Sequence, residues 1–261
     1  MRYALALEYD GRAFCGFQAQ PSGCSVQDAL EQALAAIAGL PIRVTGAGRT
    51  DAGVHATSQI VHFDTSVERP LTAWVRGVNA ALPADAAVLW CVNASDDFHA
   101  RFEATARHYT YVLLNRPQRP GLWSGRVGWH FAPLDVAAMR AAAMQLVGTH
   151  DFSSFRAAEC QAKSPVKTLQ ALELTQHGAF VRFDFKADAF LHHMVRNIVG
   201  ALVAVGTGKR GVAWLGELLA AADRTLGPAT FAPDGLYFRG AEYDARFALP
   251  STLAEIPLAI G

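Results

Sequence analysis

No two of the four cysteines, Cys15, Cys24, Cys91 and Cys160, stand at the close paired spacings that build zinc sites or redox centres. Four reduced thiols are the simplest reading, and no metal is expected. Long apolar runs are also missing: nowhere do about eighteen apolar residues follow one another without charge, Gly or His, which argues against a membrane-spanning helix. The opening residues Met1-Arg2-Tyr3-Ala4-Leu5-Ala6-Leu7-Glu8 lead straight into a strand pattern and lack the basic and apolar regions of a signal peptide, so a soluble cytoplasmic protein is expected. There is no excess of either charge, with 23 basic and 23 acidic side chains. Zero net charge on its own argues against a strong electrostatic binder of polyanions. Glycine-rich nucleotide fingerprints are absent too, and no cofactor is expected.

What is present is a chain of 261 residues, 51% hydrophobic by type, enough to bury a sizeable core. Charge is unevenly spread. Between Asp97 and His130 stand Arg101, Arg107, Arg116, Arg119 and Arg126 against only Asp97 and Glu103, and from Ala189 to Gly216 stand Arg196, Lys209 and Arg210 with no acid. Such runs are as often solvated faces as they are polyanion footprints.

Hydrophobic spacing gives strands at Tyr3–Tyr9, Ile42–Thr45, Gln59–Phe63 and Ala87–Val92. Helices fall at Ser25–Ala38, opened by a Ser-x-x-Asp capping box, and at Leu71–Leu82. The order strand, helix, strand, strand, helix, strand is that of the split βαβ unit. It repeats with strands at His108–Leu114, Leu169–Leu174, Phe180–Phe185 and Leu236–Phe238, and helices at Leu134–Val147, Phe190–Val205 and Val212–Ala222. An α+β protein follows, with two duplicated ferredoxin-like βαββαβ halves, 1–105 and 106–261, whose mainly antiparallel sheets meet at a central cleft.

The densest chemistry lies in Gly46-Ala47-Gly48-Arg49-Thr50-Asp51-Ala52-Gly53-Val54-His55-Ala56, too long for a simple hairpin connection. Its glycines permit backbone shapes and close approaches closed to other residues. Among them sit one cation, one carboxylate and one imidazole. On composition alone the loop is equally a flexible turn carrying solvated charge.

Six ordered segments carry a closer resemblance. Gly48-Arg49-Thr50-Asp51-Ala52-Gly53-Val54-His55-Ala56 looks like the signature of the TruA family of tRNA pseudouridine synthases. Tyr9-Asp10-Gly11 with Phe14, Gly16, Gln18 and Gln20 is similar to that family's opening. Phe98-His99-Ala100-Arg101-Phe102 leading to Arg107-His108-Tyr109-Thr110-Tyr111 resembles its middle segment. Gly148-Thr149-His150-Asp151-Phe152-Ser153-Ser154-Phe155, the run Phe190 to Gly200, and Ala232-Pro233 with Gly235-Leu236 follow in order. Phe17 departs from the Trp common in the family.

The resemblance implies the pseudouridine synthase fold and an isomerase that converts uridine to pseudouridine at positions 38–40 of the tRNA anticodon stem-loop. It implies Asp51 as nucleophile, at the base or at the sugar carbon, and a homodimer that holds one tRNA. Arg196 is implied as the cation paired with Asp51 across the cleft; helical spacing sets His192, Arg196 and Gly200 on one face, with Gly200 leaving room beside the guanidinium. Tyr109 is implied against the uracil ring, Leu236 on its opposite side, and Arg49 at the RNA backbone, while His55 reads as structural. Two other functions stay open on residue chemistry: a non-catalytic RNA-binding protein, since such sheets also stack bases on aromatic strands, and an N-glycosidic hydrolase that uses Asp51.

Overall fold

The computed structural model describes residues 1–256, and the α+β class holds. The described residues divide into two compact units, one formed by Met1–Arg107 with residues 237–256, the other by His108–Leu236. The first unit is therefore built from two segments far apart in the chain.

In the first unit β1 (Arg2–Tyr9) is followed by α1 (Val26–Ala38), β2 (Val44–Gly46), β3 (His55–Asp64), a π-helical turn at Ala73–Gly77 running into α2 (Val78–Ala81), and β4 (Ala86–Ala94). Antiparallel pairs β1–β4, β1–β3 and β2–β3 give the strand order β4-β1-β3-β2 expected of the split βαβ arrangement. The capping box forms as read: Ser25 Oγ accepts from Asp28 N at 3.0 Å, and Asp28 Oδ2 accepts from Ser25 N at 3.2 Å. Gly39, left-handed at φ 74°, ends the helix. Val26, Leu30, Ala33 and Leu34 form the buried stripe of α1. Aromatic packing closes the core where Tyr3 stacks on Phe63 at 5.3 Å and Trp74 meets Tyr3 at 5.4 Å.

The second unit takes in most of β5 (Ala104–Asn115), then β6 (Gly128–His130), α3 (Val136–Ala143), β7 (Gly148–Asp151), β8 (Val166–His177), β9 (Phe180–Ala187), α4 (Met194–Gly206) and α5 (Trp214–Ala221). Its strands run in the order β5-β9-β8-β7, with β6 parallel to the end of β5. The final strand, β10 (Leu236–Tyr243), begins here and continues into the first unit, where Tyr237 and Phe238 lie parallel to His55 and Ala56 of β3.

Two expectations need correction. Cys15 and Cys24 are joined by a disulfide, their Cα atoms 5.6 Å apart, so the four thiols are not all reduced. Backbone pairing brings them together, Cys15 N donating to Cys24 O at 3.0 Å. Cys91 and Cys160 are free, and burial pushes the Cys91 thiol up to about 12. Also, α4 starts at Met194 rather than Phe190, because His193 takes a left-handed φ of 63°. His192 thus lies outside the helix, and it shares no continuous helical face with Arg196.

Candidate active site

The Gly46–Ala56 loop leaves the sheet at the end of β2 and returns at the start of β3, and most of its backbone is held by neighbours in the first unit. Ala47 N donates to Ile60 O at 2.8 Å, Gln59 Nε2 to Gly48 O at 2.7 Å, and Phe17 N to Thr50 O at 3.0 Å. Thr50 Oγ1 is bonded to Tyr9 OH at 2.8 Å inside the core. Asp51 O accepts from Val54 N at 3.1 Å, and Gly53, at φ 80°, donates to Gly11 O at 3.3 Å. Between these anchors Asp51 is half-buried and Arg49 exposed. The loop is thus a fixed mount for one carboxylate, not a flexible turn.

Two glycines make the mount possible. A side chain on Gly11 would place Cβ 2.1 Å from Val54 O, and one on Gly16, itself at φ +106°, would place it 2.8 Å from Thr50 O. Phe17 packs beneath the loop entrance, with ring atoms 2.6 Å from where a Gly46 Cβ would sit.

His55 is buried at the loop's exit and stacks on Tyr237 at 4.7 Å. Its Nδ1 accepts from Gly11 N at 3.1 Å and lies 3.3 Å from Asp10 Oδ1. The ring is thereby held between the Gly11 backbone, Asp10 and Tyr237, a support of the loop's exit. Asp10 also binds Arg12, whose hydrogen bonds first, with a smaller contribution from His55, hold its carboxyl down at about 2.

Three more of the residues singled out in the sequence lie in the second unit. Arg196 is half-buried on α4, and its Nε donates to Phe231 O at 2.8 Å. Gly200 does not open space for the guanidinium: Ala229 O would lie 3.0 Å from its Cβ, so the missing side chain admits the 228–231 segment that holds Arg196. Tyr109 is buried edge-on to Phe190 at 5.0 Å. Tyr111, on the same side of β5, is wholly core; its OH donates to Ala232 O at 2.9 Å, and its ring packs against Phe231 at 5.8 Å. Leu236 is buried next to Gly235, whose carbonyl accepts from Val112 N at 2.8 Å. The 231–236 segment therefore joins the Arg196 helix to the tyrosine strand.

A family model described as tRNA pseudouridine synthase matches residues 5–103 and 142–244. The chain belongs to this family. A protein of Thiobacillus denitrificans, "tRNA pseudouridine synthase A", is 59% identical over 259 residues, which span 99% of this chain and 100% of that one. A protein of the same name from Chromobacterium violaceum is 61% identical over 252 residues, 96% of each chain, and one from Dechloromonas aromatica is 58% identical over 250 residues, 96% of this chain and 95% of that one. Among solved structures, a chain in the crystal structure of a Cbf5-Nop10-Gar1 complex matches 90% of this chain and 48% of its own length at TM-score 0.38 and 10% identity, too distant a likeness to carry an argument.

Residue patterns marked His55 as structural but did not point to the other supports of the loop, the Tyr9–Thr50 bond, Gln59 and Gly11, nor to Phe231, which holds Arg196 in the second unit. Tyr9, Gly11 and His55 do stand in the recurrent segments. Gln59 and Phe231 had no such signal.

Proposed function

We propose that the chain isomerises uridine to pseudouridine in tRNA, at positions 38–40 of the anticodon stem-loop, with Asp51 as the nucleophile. The observation that carries the reading is the lone carboxylate of the Gly46–Ala56 loop, held by bonds to the backbone on both sides of it, in a chain of this family. A carboxylate fixed in advance attacks without paying for its own ordering, and a covalent intermediate divides one hard step into two. In the reaction the bond from uracil N1 to the sugar C1′ breaks and one from C5 to C1′ forms; a proton leaves C5 and one is gained at N1. Atoms and electrons balance, so neither oxidant nor energy source is required.

A uridine stacked in a stem is out of reach, and the target must leave the stack. In this reading Arg49 holds the RNA backbone, Tyr109 and Leu236 flank the uracil, and Arg196 is the cation paired with the carboxylate. Two copies of the chain would hold one tRNA, in the cytoplasm. Among the described residues no helix is long and apolar enough to cross a membrane.

Incubation with an unmodified tRNA transcript, followed by nucleoside chromatography and mass measurement, tests the proposal. Pseudouridine should form with RNA mass unchanged. Asp51→Asn should form none while binding tRNA within a few fold of wild type, a difference of about 1 kcal/mol or less. Free uracil would make the protein a hydrolase, and unaltered uridine a binding module. Turnover by Asp51→Asn, with deamidation excluded by mass spectrometry, would remove Asp51 from the chemistry.

A further inference from the structure

Phe102 is 73% exposed in the turn that precedes β5. Beneath it His99 lies almost parallel, with centroids 4.2 Å apart and planes 22° apart. His99 in turn meets the buried His62 at 4.6 Å. The three rings form a contiguous column, stacked between Phe102 and His99 but tilted by 58° between His99 and His62, that runs from the core of the first unit to the surface. Backbone bonds fix it: His99 Nδ1 accepts from Arg101 N and Phe102 N at 3.2 Å each, and His62 Nδ1 accepts from Ala100 N at 3.1 Å.

Arginines stand on both sides of the surface end of these rings. Arg101 is exposed, with its guanidinium carbon 5.7 Å from the Phe102 centroid. The neighbouring acids, Glu103 and Asp97, are engaged by Arg246 at 3.1 and 3.6 Å. Arg107 ties the turn to the candidate catalytic loop: its guanidinium donates to Ala104 O at 3.0 Å, to Arg101 O, and to Ala47 O at 3.4 Å. The exposed ring is thereby anchored to the loop that carries Asp51.

We propose that Phe102, backed by His99 and flanked by Arg101, is a stacking platform for an unpaired nucleobase of the RNA substrate, a contact separate from the target uridine. The inference rests on the tRNA reading above. Every base has a π face, so such a platform accepts any of them, and an arginine beside it answers the phosphate charge. Because His99 and the turn are already ordered, the ring needs little further ordering when the base arrives. A single exposed apolar residue usually means nothing. Here it completes an aromatic column and carries a cation at its side.

The test uses the full chain and an unmodified tRNA transcript with three proteins: wild type, Phe102→Ala and Phe102→Trp. Phe102→Ala should weaken tRNA binding about 5- to 150-fold, the range of one lost base–aromatic stack. The added tryptophan of Phe102→Trp should keep affinity within about twofold, and its emission should be quenched in step with binding. Loss of the fold in Phe102→Ala would be seen in its melting curve, and the quenching in Phe102→Trp then decides alone. Unchanged affinity in Phe102→Ala with no quenching in Phe102→Trp overturns the platform. So does a change in sedimentation of Phe102→Ala without tRNA, which would make the ring a contact between protein copies. If wild type forms pseudouridine while the platform fails, only the platform is lost; if wild type forms none, both readings fall.

Discussion

Tyr9 OH and Thr50 Oγ1 lie 2.8 Å apart in the core, although 41 residues separate them in the chain. The bond joins the end of β1 to the residue immediately before Asp51. Burial pushes the Tyr9 phenol well above its ordinary value, so it stays protonated throughout the physiological range. A side-chain bond at this point fixes where the carboxylate begins.

Tyr9→Phe removes that bond and leaves the Thr50 hydroxyl buried with one partner fewer. Urea unfolding should show a loss of about 1 kcal/mol. The single-turnover rate of pseudouridine formation should fall about 10- to 100-fold, since small displacements of a reacting group are costly. A stability loss with an unchanged rate would make the bond structural only.

The pH dependence of stability should carry a contribution from His62. Burial first, then the charges of His99 and Arg2, lower its pKa from 6.5 to about 4, against a smaller opposing effect of Asp64. Below pH 6.5 the unfolded chain takes up a proton that the native ring refuses, so stability falls as pH drops from about 6.5 to about 4 and levels off beneath. The full effect is on the order of 3 kcal/mol. Urea titrations of wild type and His62→Gln at pH 7 and pH 4.5 measure it; the variant should lose less stability on acidification.

Much of the architecture was legible because hydrophobic period and capping chemistry are local. The Ser25–Asp28 box and the buried stripe of α1 needed no tertiary knowledge. Hydrophobic spacing starts β3 at Gln59, four residues later than its true start at His55, because the beginning of the strand is largely polar. His55, Thr57, Ser58 and Gln59 are polar yet buried, and three of them bond to other segments: His55 with Gly11, Thr57 with Ala254 O, and Gln59 with Gly48 O. Those polar side chains serve hydrogen bonds to other segments, Gln59 to the loop itself, and break the apolar alternation that signals a strand. β6 and β7 were missed for another cause. Gly128–His130 and Gly148–Asp151 are too short to show a period, and pairing with β5 and β8 makes them strands. The disulfide was missed because the nine-residue spacing matches no local motif, whereas the backbone fold brings both cysteines together.

Arg196 offers a test that separates charge from geometry. Arg196→Lys keeps the cation but loses the Nε donor to Phe231 O. If the residue orients the carboxylate, the single-turnover rate should drop at least about tenfold while tRNA affinity stays within a few fold. Equal losses in both would make Arg196 a phosphate contact.

Gly11 should be the least replaceable glycine at the loop. It has no positive φ, so its requirement is space: an added Cβ would lie 2.1 Å from Val54 O and 2.4 Å from Val54 C, backbone atoms that cannot rotate away. The same residue donates its N–H to His55 and accepts from Gly53 through its carbonyl. Gly11→Ala must therefore displace the segment that returns from Asp51 to β3. Overpacking of this kind costs about 1–3 kcal/mol, and the activity loss should exceed what the remaining folded fraction explains. Gly121→Ala is the matched control, because nothing lies within 4 Å of its added Cβ; its stability should stay within about 0.5 kcal/mol of wild type. Urea unfolding of both variants, with single-turnover rates measured well below their midpoints, distinguishes a displaced loop from general instability. A Gly11→Ala protein as stable and as active as the control would mean that the close approach of Gly11 to Val54 has no part in holding Asp51.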